Sequence, residues 1–81
     1  MNASNEVDKI NEKLRSRKCN IRVVVNKIYN YDTGRTLFDA WLEYFNTRRN
    51  SWGILHQLGK FNAKSDAIEA VKNKLHIDNY L

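Results

Sequence analysis

Apolar residues change their spacing four times along this chain, and each change marks an element. From about Ser4 to Arg17 only Val7, Ile10 and Leu14 recur at helical spacing among polar residues. This predicts a helix over about residues 4–17 with one narrow apolar stripe and Ser4 as its cap. The stretch Ile21 to Tyr31 is rich in β-branched and aromatic side chains, with Ile21, Val23, Val25, Tyr29 and Tyr31 on one face. It reads as a strand over about 20–31, and Val24 and Ile28 on the other face suggest either a bulge near Asn26-Lys27 or partial cover on both sides. Tyr31-Asp32-Thr33-Gly34 is then a hairpin signal, because Gly34 is able to take the positive φ that a turn with a following bulge needs.

The next segment carries two periodicities at once. As a strand, Phe38, Ala40, Leu42 and Tyr44 form one apolar face and Leu37, Asp39, Trp41, Glu43 and Phe45 a mixed one. As a helix, Leu37, Phe38, Trp41, Leu42 and Phe45 make a stripe, with Thr36 and Asp39 placed as a capping pair. Spacing does not choose between them, but a hairpin turn requires a returning partner, which favours a strand over about 36–46. A polar turn at Thr47-Arg48-Arg49-Asn50-Ser51 leads to a third strand over about 52–60. A helix over about 64–77 follows, with Ser65 as its cap, Asp66 and Glu69 near its start, and Lys72, Lys74 and His76 at its end. Ile68, Val71 and Leu75 face inward, Ala67 and Ala70 allow close approach to a sheet, and the tail Ile77 to Leu81 is apolar enough to dock.

The expected fold is therefore α+β: one small domain, α-β-β-β-α, in which both helices cover the same face of a three-stranded antiparallel sheet. Phe38, Leu42 and Tyr44 belong to its core. The opposite face stays open and carries Asp39, Trp41, Glu43 and Phe45, followed by Arg49 at the turn.

Length and composition limit the function classes. A chain of 81 residues is a single domain, 1–81, and 42% hydrophobic with 28% charged residues is the balance of a folded one. The single cysteine, Cys19, has no intrachain partner, no apolar run is long enough to span a bilayer, and the start Met1-Asn2-Ala3-Ser4-Asn5 has no signal-peptide character. A cytoplasmic location is the resulting expectation. Cys19, His56 and His76 lie far apart without metal-binding spacing, so neither a metal nor another cofactor is expected. Asp39 and Glu43 read as solubilising charges, and no nucleophile or phosphate-cradling motif is present. The expectation is a protein that is not an enzyme.

Charge is the remaining signal. The net charge is +5, and Lys13, Arg15, Arg17, Lys18 and Arg22 follow one another with no acid between Glu12 and Asp32. Cations there suit the negative pole of a helix, and they also suit phosphates. The candidate nucleic-acid-binding set is Lys13, Arg15, Arg17, Lys18, Arg22, Arg35, Trp41, Arg48, Arg49 and Lys64, with Trp41 as the stacking aromatic. The acids Asp39 and Glu43 flank that tryptophan and repel phosphate, which keeps open the alternative of a protein-binding module, such as a phage- or plasmid-type inhibitor of a nucleic-acid enzyme. An exposed sheet edge permits either a monomer or a homodimer.

Trp41, the turn Leu58-Gly59-Lys60-Phe61 and the later Ala67 and Ala70 resemble the APETALA-type plant DNA-binding domain and the arm-binding domains of phage integrases. The resemblance covers about half the chain and implies a sheet that enters the DNA major groove through arginines and tryptophans. It departs in the first strand, which has only Arg22 and Lys27, and in the extra N-terminal helix. That helix makes the topology similar to the double-stranded-RNA-binding domain, where Lys64 and the Lys13 to Lys18 stretch would touch phosphates. The lysine pair and the Gly-Pro-x-His loop of that family are missing.

Overall fold

Residues 35–46 form the central strand of the sheet, so pairing on both sides decides what periodicity left open. The computed structural model describes residues 6–81 as α1 (Glu6–Ser16), β1 (Ile21–Asn30), β2 (Arg35–Asn46), β3 (Ser51–Phe61) and α2 (Lys64–Ile77). The sheet is antiparallel in the order β1-β2-β3. α1 packs on β1, and α2 lies across the sheet with most of its contact on β2 and β3. The Ser4 cap falls outside the described residues.

Both hairpins are built with the same device. Asn30 Oδ1 accepts the backbone N–H groups of Asp32 and Thr33 at 2.9 and 3.3 Å, and Gly34 closes the turn at φ 70°. Asn46 Oδ1 accepts those of Arg48 and Arg49 at 3.0 and 3.2 Å, and Asn50 closes the second turn at φ 55°. In each, an asparagine side chain folds the following backbone and a residue tolerant of positive φ sits four positions on.

The core lies on one face of the sheet. Ile10 and Leu14 of α1 and Ala67, Ile68, Val71 and Leu75 of α2 are buried against Ile21, Val23, Ala40 and Leu42. Phe38 and Tyr44 pack around this cluster, as do Tyr80 and Leu81 of the tail. Tyr44 lies so close over Gly53, its partner on β3, that a Cβ there would come within 3.2 Å of the ring. α1 also ties down the edge of the sheet: Val23 N–H donates to Asn11 Oδ1 at 2.7 Å and Asn11 Nδ2 donates to Val23 O at 3.0 Å. The side-chain amide occupies the place of a neighbouring strand.

Two expectations need correction. β1 has no bulge at Asn26-Lys27, since its register with β2 is unbroken from Ile21↔Tyr44 to Asn30↔Arg35. Val24 and Ile28 are half-buried on the face away from the helices, in keeping with the alternative of partial cover on both sides, and the irregularities fall in β3, where Leu58 and Leu55 are the unpaired residues. Tyr29 and Tyr31 continue the face of Val23 and Val25 but are 50% and 87% exposed, because the hairpin extends beyond the helices. Their rings contact each other edge-on at 4.7 Å. Ser65 does not cap α2: Ala67 N–H already bonds Ala63 O, which puts Ser65 inside the first turn and leaves Ala63 at the cap with no side-chain bond.

Candidate functional site

The two helices flank a cleft lined mainly by basic side chains. Lys9 and Lys13 of α1 and Arg17, one residue past its end with its N–H still bonded to Lys13 O at 3.2 Å, stand at i, i+4 and i+8, hence on one stripe of about 12 Å. Lys72 and His76 face them from α2, and Ile10 and Leu81 line the same cleft. Glu6 is the one acid in the lining, and its carboxylate pairs with Lys72 Nζ at 3.4 Å. Arg17 Nη1 donates to Tyr80 O at 3.0 Å, which fixes the end of α1 against the C-terminal tail while the side chain remains exposed.

The cleft leads to the end of the sheet where β2 turns into β3. Phe45 N–H donates to Asn20 O at 2.9 Å, so the segment that follows α1 runs beside this hairpin. Arg15, Lys18, Arg48 and Arg49 are all exposed at this end. Six of the ten residues singled out in the sequence, Lys13, Arg15, Arg17, Lys18, Arg48 and Arg49, thus share one end of the molecule. Arg35 and Lys64 lie at the other end, about 30 Å away along the strands. Arg35 is also engaged, with Nη2 donating to Asn62 Oδ1 at 2.8 Å.

The remaining two, Arg22 and Trp41, belong to the uncovered face of the sheet and are held in an internal network. Arg22 Nε donates to Glu43 Oε1 at 2.6 Å, and its guanidinium lies 4.1 Å from the centre of the Trp52 ring. Trp41 Nε1 donates to the other carboxylate oxygen at 2.9 Å. Phe45 meets Trp52 edge-on at 5.3 Å. Burial alone would raise the Glu43 carboxyl, but the hydrogen bonds from Trp41 and Arg22 and the Arg22 charge outweigh it and hold the group below its ordinary value. Trp41 is half-buried with its polar atom satisfied, whereas Trp52 is exposed.

Sequence reasoning missed Lys9, Lys72 and His76, because only the seating of α1 and α2 side by side on one face of the sheet brings them to one cleft. Their own helical spacing was the available signal. It also passed over Trp52 and Ile54, whose faces cannot be assigned until the bulges in β3 are counted. Among the described residues no group of three or more His, Cys, Asp or Glu side chains is arranged to hold a metal, and no helix is long and apolar enough to cross a membrane. No protein-family model, no curated protein and no solved structure matches this chain.

Proposed function

We propose that this protein is a small nucleic-acid-binding domain that grips the phosphate backbone with the cation-lined cleft between α1 and α2. The observation that carries this reading is the convergence of Lys9, Lys13 and Arg17 with Lys72 and His76 in one cleft. Lysines act on phosphate as point charges with little demand on geometry, so such a row supports binding to backbone rather than readout of bases. Arg15, Lys18, Arg48 and Arg49 extend the positive surface beyond the end of α1. The uncovered sheet face is a poorer platform, since Asp39 and Glu43 stand on it and Arg22 is already bonded. In this reading Trp41 supports the sheet instead of stacking on a base.

The test is a fluorescence-anisotropy titration of the full chain on labelled duplex DNA, duplex RNA and single strands over a range of salt concentrations. Affinity is expected at low salt and should fall steeply as salt rises, with a log–log slope of about −0.9 per phosphate contact on duplex DNA. Lys13→Glu and Lys72→Glu should each flatten that slope. Absence of binding to all three at low salt would end the proposal.

A further inference from the structure

The cleft between α1 and α2 is bridged near both ends of α1 by side chains of the protein itself, and the two bridges are chemically unequal. At one end Arg17 Nη1 donates to Tyr80 O at 3.0 Å, a bond to a neutral carbonyl that uses one of the five guanidinium donors and leaves the charge uncancelled. At the other, Lys72 Nζ meets a Glu6 carboxylate oxygen at 3.4 Å, an ion pair that cancels the lysine of the α2 wall. Resting on the reading of this cleft as a phosphate site, we propose that Glu6 sets its affinity: in the free protein the carboxylate holds the place of a phosphate on Lys72, and an incoming backbone must displace it.

The placement of Glu6 supports this role. Glu6 and Lys72 lie 66 residues apart in the chain, and their bond joins α1 to α2 directly across the cleft. A carboxylate in the first turn of α1 suits the helix dipole, but Asp8 stands in the same turn outside the cleft lining, so that need does not explain the reach to Lys72. The paired side chains are 46% and 52% exposed, so water weakens their attraction and phosphate can replace the carboxylate. A phosphate that approached Lys72 with Glu6 still in place would be repelled by it.

The cleft is therefore graded in charge. Among the described residues no acid pairs with Lys9, Lys13 or Arg17, whereas Lys72 is already matched. A free phosphate gains at Lys72 only what Glu6 already supplies. A backbone held by Lys9, Lys13 and Arg17 presents its next phosphate to Lys72 at high effective concentration and displaces the carboxylate. The pair thus favours a polyanion over a single phosphate.

Fluorescence anisotropy of the full chain on labelled duplex DNA tests this. Glu6→Gln, at an exposed position outside the core, should tighten binding about three- to fivefold at low salt and steepen the log–log salt slope by about 0.9, the equivalent of one more phosphate contact. Adding Lys72→Gln to that variant should abolish the gain. Glu12→Gln removes the same charge from α1 outside the cleft lining and should change affinity by less than about twofold. Wild-type binding that Glu6→Gln does not tighten, a gain that survives Lys72→Gln, or an equal gain from Glu12→Gln each overturns the role of Glu6 and leaves the phosphate-binding cleft standing. No binding by wild type or variant ends both.

Discussion

Trp41 and Glu43 are bonded across one turn of the pleat, with the indole Nε1–H donating to Oε2 at 2.9 Å while Oε1 takes the Arg22 guanidinium. These bonds outweigh burial and lower the carboxyl below its ordinary value. A depressed acid adds stability that is complete above its unfolded-state value and is lost as pH falls through the folded one. Unfolding in urea should therefore become easier below about pH 4.5, the ordinary range of a glutamate. Glu43→Gln should be less stable than wild type at pH 7 and should show a shallower loss on acidification. Equal acid sensitivity in the two proteins would rule out Glu43 as a contributor.

Asn11 is the side chain that closes the β1 edge. Asn11→Ala removes both partners of the Val23 backbone, a loss of about 1–3 kcal/mol where the orphaned groups stay dry. Asn11→Asp keeps the acceptor but sets a carboxylate oxygen against Val23 O, so it should be destabilising as well. Chemical denaturation of both variants measures this, and hydrogen exchange at the Val23 amide should quicken.

Lys18 holds φ 59° at the end of α1, where Cys19 N–H bonds Leu14 O at 3.0 Å and Lys18 N–H bonds Arg15 O at 2.9 Å. This is the Schellman arrangement, and its left-handed position favours glycine. Lys18→Gly should raise stability by about 0.5–1 kcal/mol, net of the greater freedom glycine has when unfolded. The same motif closes α2, with Asn79 at φ 63° and Tyr80 N–H bonding Leu75 O at 2.8 Å.

Ala63 caps α2 without a side-chain bond, in extended backbone that suits serine. Ala63→Ser places a hydroxyl within reach of the Asp66 N–H and should add about 1 kcal/mol. The check is a rise in thermal midpoint with no change in the circular-dichroism spectrum. Ser65→Ala, inside the helix, should have little effect.

The helix over 64–77, the hairpin at Gly34 and the order α-β-β-β-α were legible in the sequence, because each rests on local rules: helical spacing of Ile68, Val71 and Leu75, and one residue free to take positive φ. Among the candidate site residues, the basic run from Lys13 to Lys18 was visible in the sequence because it is contiguous. The rest depends on long-range placement. The segment 35–46 satisfies both a helix and a strand, and only β1 and β3 bonding to its two edges select the strand. Ala63 displaced Ser65 as cap because the first turn is set by where β3 delivers the chain. Lys72 and His76 are ordinary residues at a helix end until the sheet seats α1 across a cleft from them, and Trp52 gains its position beside Arg22 only through the register of β3. The sequence by itself determined the elements, since those follow from spacing and turn chemistry within a few residues. Tertiary structure decided which cations converge and which face of the sheet stays bare, since both depend on contacts between residues distant in the chain.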